Sequence, residues 1–131
     1  MRRLAAALLL VCVVSPAQAS MWINCSDAGG EASFDYLVGT VPALSIVALT
    51  VSVGEQVWAS DVAYGPGEPI AVGQAFEDER MVLVDALDPD MTERLASLRL
   101  FKAAEGEAAP VYAGTLHIPG HGAWAVSCAE G

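Results

Sequence analysis

The chain predicts an all-β fold: a small antiparallel β-sandwich or closed barrel of about eight strands, with one short helix and its terminal strands linked by a disulfide. Three observations carry this expectation. Short runs in which apolar and polar residues alternate recur along the sequence, separated by turns rich in Gly, Pro and Asp. The clearest run is 45–53, where Val47, Leu49, Val51 and Val53 fall on one face and Ala48, Thr50 and Ser52 on the other. Finally, Cys25 and Cys128 stand near opposite ends of the part expected to fold, so a bond between them sets the first and last strands side by side.

Taken in order, the chain of 131 residues begins with Met1-Arg2-Arg3, an apolar core over 4–14, and Ala17-Gln18-Ala19 with small residues where a signal peptidase cuts. Residues 1–19 read as a signal peptide and 20–131 as a single β-rich domain, exported to the periplasm or secreted. The apolar core is too short for a stable membrane anchor. The first strand is expected over 22–25, followed by the turn Ser26-Asp27-Ala28-Gly29-Gly30. Over 33–38, Phe34, Tyr36 and Val38 alternate with Ser33 and Asp35. Gly54-Glu55 turns 45–53 into a hairpin partner over 56–60. Residues 61–69 hold Gly65-Pro66-Gly67, the least regular stretch, and read as a mobile loop.

A short strand is expected over 70–72, then a solvated turn ending in Glu77-Asp78-Glu79, then a strand over 80–87. Asp88-Pro89 reads as a helix start, because Asp accepts a backbone N–H at an N-cap and Pro at the first helical position loses no hydrogen bond. The expected helix covers 89–96, with Asp90 and Glu93 near its positive end and Met91 and Leu95 on one side. Strands follow over 98–102, 111–118 and 123–129. In the last of these, Trp124, Val126 and Cys128 share the face expected to be buried.

Charge narrows the function. Six Lys and Arg become four once Arg2 and Arg3 leave with the signal, while all 16 Asp and Glu remain, a net charge of −12. Such a chain repels phosphate backbones, which excludes nucleic acid as a partner; the acidity itself serves solubility first and a basic protein partner second. The expectation is a non-catalytic binding domain of the bacterial envelope, with contacts from Glu77, Asp78, Glu79 and Trp58 or from the 61–69 loop. No cofactor and no metal site is assigned. Catalysis has few candidates: there is no Gly-x-Ser-x-Gly elbow, and Gly65-Pro66-Gly67 lacks the lysine of a phosphate loop. The competing reading is a small metal-dependent or hydrolytic enzyme using His117, His121 and a carboxylate. Of the three tryptophans, Trp124 is expected in the core, while Trp22 and Trp58 have two readings: outer-face residues that can stack on a ligand or partner, or core plugs and rim cover, the commoner use in a small β-domain.

The segments Val72-Gly73-Gln74-Ala75-Phe76, Ala96-Ser97-Leu98-Arg99-Leu100-Phe101-Lys102 and Gly122-Ala123-Trp124-Ala125-Val126-Ser127-Cys128 resemble a set of small exported bacterial β-rich proteins with no assigned activity. The layout of signal, small barrel and a cysteine near each end also resembles the periplasmic inhibitors of c-type lysozyme. Their inhibitory Ser-Gly-x-x-Tyr loop is absent, Ala63-Tyr64-Gly65 being the nearest stretch, so the resemblance implies layout and no inhibitory residue.

Overall fold

Alternation at period two decides which side chains meet inside. In the computed structural model, which describes residues 20–41 and 43–131, it produces ten strands. They are β1 (Met21–Ser26), β2 (Ala32–Val38), β3 (Ile46–Val53), β4 (Gln56–Ala59), β5 (Glu68–Pro69), β6 (Ala71–Glu77), β7 (Met81–Leu87), β8 (Arg94–Ala103), β9 (Val111–Ile118) and β10 (Gly122–Glu130). The segment read as a signal peptide lies outside the described residues.

The strands form one sheet in the order β5-β4-β3-β2-β1-β10-β9-β8-β7-β6. Its two end strands, β5 and β6, are separated in the chain only by Ile70, which is buried and donates its N–H to the Ala59 carbonyl. The sheet therefore curls until its ends meet, giving a nearly closed barrel. Counted as one bent strand, β5 and β6 leave an odd number of strands in the ring. An odd ring cannot be antiparallel throughout, and among the described strands the single parallel pair is β4 with β5.

The barrel interior takes the inward residues of every long strand, among them Phe34, Leu49, Val84, Leu98, Leu100 and Leu116, all fully buried. Each such side chain contributes roughly 1.5–3 kcal/mol by leaving water. Gly114 faces inward opposite Leu100, where a Cβ would collide with the Arg99 carbonyl, so the tight coiling of β8 on β9 requires glycine there. Cys25 and Cys128 are directly opposed on β1 and β10 and form the expected disulfide, with Cα atoms 4.0 Å apart. The bond ties the β1–β4 meander to the β6–β10 meander and closes a sequence separation of 103 residues. In the chain-entropy view such a loop stabilises by up to ~4.7 kcal/mol.

Three expectations are corrected. The helix over 89–96 is a hairpin loop and the start of β8. Asp88 does cap, but it caps the loop: its carboxylate accepts from the Thr92 and Glu93 backbone N–H groups, both at 2.7 Å, and from the Thr92 hydroxyl. Met91 takes the left-handed conformation (φ 58°), and the inward alternation of Ala96, Leu98 and Leu100 overrides the local helix signal. The short helix sits elsewhere, as a 3-10 turn over Val62–Tyr64. The strand expected over 70–72 runs on to Glu77, its alternation interrupted by a bulge between Val72 and Ala75 that contains Gly73. Lastly, Trp58 faces the core beside Val51, not the outer surface.

Candidate functional site

The acidic turn divides into three different environments. Glu77 ends β6 on the inward side and pairs with Lys102 at 3.3 Å, and the same ammonium donates to the Asp78 carbonyl at 2.7 Å. Asp78 holds its own turn by accepting from the Arg80 and Met81 backbone N–H groups, and these bonds draw its carboxyl below the ordinary value. Glu79 alone is simply exposed. Trp58 is buried, with the His121 ring edge-on to it at 5.5 Å. His117 instead projects from the outer face of β9, opposite Ser97 and Ala123. The two histidines thus have separate surroundings, one on a strand and one in the β9–β10 turn. Among the described residues no group of three or more His, Cys, Asp or Glu is placed to hold a metal ion.

The most distinctive site lies on the outer face of β1, β2 and β3. Asn24, Asp35 and Thr50 are consecutive cross-strand partners there, one row of polar side chains across three strands. The 61–67 segment folds over this face and supplies a wall. Asp61 caps the 3-10 turn by accepting from the Ala63 N–H at 2.8 Å, which sets Tyr64 edge-on to Trp22, ring centroids 5.4 Å apart and planes at 75°. The glycines make the approach possible. Gly65 has φ 136°, a conformation L side chains rarely adopt, and at Gly67 a Cβ would press to 3.1 Å on the backbone of β4. Beneath the segment Ala48 and Ala59 are buried although they point outward, so this part of the sheet is covered on both faces.

The result is an open cleft of about 360 Å³ lined by Trp22, Asn24, Asp35, Thr50, Tyr64 and Gly131. Burial pushes the Asp35 carboxyl up to about 6, opposed by the Cys25 backbone. Among the described residues no ion pair involves Asp35. Trp22 and the 61–69 loop that carries Tyr64 stand out in the sequence as contact candidates, but Asp35 does not. The signal for Asp35 was a charged residue in mid-strand between Phe34 and Tyr36, and its significance needed the register that aligns Asn24 and Thr50 beside it.

A second carboxylate on the outer face provides the contrast. Asp85 on β7 is 2% exposed and meets Arg99 at 2.8 Å and Arg94 at 3.5 Å, both from β8. Arg99 also donates to the Leu98 carbonyl. This group is neutralised by its neighbours and belongs to the framework.

With the fold and the cleft in view, comparison with family models, with curated proteins and with solved structures gives no match for this chain. The Cys25–Cys128 bond fits an oxidising compartment. Among the described residues no helix is long and apolar enough to cross a membrane.

Proposed function

We propose that this protein is an exported, non-catalytic binding domain of the bacterial envelope, working in the periplasm or outside the cell, that recognises a basic protein partner. One observation carries the reading: the cations are consumed internally. Of the four basic residues in 20–131, Arg94 and Arg99 pair with Asp85 and Lys102 pairs with Glu77. Among the described residues Arg80 is left as the cation outside an ion pair, and with 16 acidic residues against these four the surface field is predominantly negative. A field of that sign steers a cationic protein over about a Debye length, ~8 Å at physiological salt, and suppresses acidic partners. The disulfide and the signal-like start support export, and a rigid barrel carrying a folded-over loop is a scaffold suited to recognition.

The test uses the protein recovered from the cell envelope. Its intact mass is expected to start at Ser20 and to gain two hydrogens on reduction. Used as bait on envelope extract, it is expected to retain a basic protein at low salt and release it at high salt. A chain still carrying residues before Ser20, two free thiols, or the lack of any salt-sensitive basic partner would overturn the proposal.

A further inference from the structure

We infer that the Trp22–Tyr64–Asp35 cleft is a receptor for a single organic cation, the guanidinium or alkylammonium head of an exposed Arg or Lys side chain. The inference deepens the proposed recognition of a basic protein and rests on it for the identity of the partner, not for the chemistry of the cleft. Two aromatic rings held nearly perpendicular make a corner, and the faces of Trp and Tyr attract cations. Asp35 lies in the same cleft, half-buried and without an ion pair among the described residues, and so supplies the charge a bound cation would meet. Asn24 and Thr50 flank it with polar atoms that accept the remaining N–H groups of a guanidinium. A pyranose sugar is the poorer occupant, because its apolar C–H face stacks on one broad aromatic face and the two rings here meet edge to face.

The construction of the cleft supports a site over an accident of folding. The parallel pairing of β4 with β5 requires a connection that crosses back over the sheet, and within that connection Asp61, Gly65 and Gly67 hold Tyr64 against Trp22. A half-buried carboxylate without a counter-charge is costly, and a cation entering the cleft offsets that cost. Binding therefore favours the ionised Asp35. The groups around this carboxyl are Asn24 and the Cys25 backbone from β1, Thr50 from β3, Trp22, Tyr64 and the chain-terminal Gly131, none of them cationic, so affinity is expected to rise with pH through about 6 and level off above it.

The experiment is a titration of the oxidised protein at pH 8 with methylguanidinium and n-butylammonium, followed by NMR. N-methylurea and n-butanol serve as neutral isosteres and methyl β-glucoside as the sugar control. Saturable shifts confined to Trp22, Asn24, Asp35, Thr50 and Tyr64 are expected with the cations and not with the controls. Asp35→Asn is expected to weaken binding at least tenfold, and Tyr64→Ala to weaken it severalfold without loss of fold, since that ring is 43% exposed. Glu107→Gln, an exposed position outside the cleft, should leave it unchanged. Equal shifts from the neutral isosteres, a preference for the glucoside, absence of saturation, or undiminished binding by Asp35→Asn would each overturn the inference. The two readings fail separately. A basic partner captured equally by wild type and Asp35→Asn refutes the cleft alone. Cation binding in a protein that captures no basic partner refutes the partner alone.

Discussion

Asp35 and Asp85 occupy corresponding places on two sides of the barrel. Each is in mid-strand, each points to the outer face, and each is withdrawn from bulk water. Around Asp85 the neighbouring strand β8 supplies Arg94 and Arg99, and the carboxylate is closed off. Around Asp35 the neighbouring strands supply Asn24 and Thr50, and the covering segment supplies Tyr64, so it has polar company but no counter-charge. The difference separates a charge that holds the sheet together from a charge left open to something outside it. In a chain with so few cations, committing two of them to one aspartate makes the absence of any beside the other the more informative.

The largest effect should come from breaking the closed pair. Arg99→Ala removes the nearer partner of a carboxylate that is 2% exposed, leaving only Arg94 at 3.5 Å. Stranding a buried charge costs about 3–5 kcal/mol, and the retained arginine should hold the loss near the lower end, about 3 kcal/mol. Urea unfolding measures it. A loss under about 1 kcal/mol would mean that Asp85 is stabilised by other means, and the contrast between the two aspartates would collapse.

Asp35→Asn should do the opposite. With the folded carboxyl raised from 3.8 to about 6, the folded state binds a proton more tightly than the unfolded state in that interval. Wild-type stability therefore falls as pH rises from about 4 to about 6, and the penalty is fully present above that range. The amide carries no such penalty, so the variant is expected to be more stable than wild type by about 1–2 kcal/mol at pH 8, discounted for the open cleft, and equal to it below pH ~4. A variant less stable than wild type at pH 8 would show that the Asp35 charge is already satisfied within the fold.

Much of the framework was legible in the sequence, because it follows from a period of two and from turn chemistry. The alternation of Val47, Leu49, Val51 and Val53 placed β3, and Gly54-Glu55 placed its hairpin. The cysteine pair placed β1 beside β10. Local readings failed where tertiary pairing overrode them. Asp88-Pro89 carries the same hydrogen-bonding logic in a hairpin loop as at a helix start, so only the inward row of Ala96, Leu98 and Leu100 distinguishes the two. Gly73 hid the far half of β6 by shifting its register. Trp58 was misplaced because a four-residue strand offers too little alternation to fix its phase. The cleft was illegible for a different reason: Trp22, Asp35 and Tyr64 come from two strands and a covering loop, and no spacing within the chain brings them together.

The smallest expected effect sharpens the comparison most. Asp88 is a third aspartate, on the surface, whose carboxyl is held below its ordinary value by the backbone N–H of Glu93 and by Thr92. A depressed folded value contributes stability above the unfolded value and loses it as pH falls. Asp88→Asn should therefore be modestly less stable than wild type at neutral pH, with the two urea midpoints converging in acid once both wild-type states are protonated. Asp35→Asn is expected to converge in acid too, but from the stabilised side. Both substitutions remove one negative charge from the same acidic excess, so the general relief of repulsion is common to them and cancels in the comparison. What remains is the local setting of each carboxylate. Opposite signs at neutral pH would trace the difference to the surroundings, one carboxylate satisfied by backbone N–H groups and the other left without a counter-charge. The same sign for both would reduce the effect to overall charge and remove the physical basis for treating Asp35 as an open site.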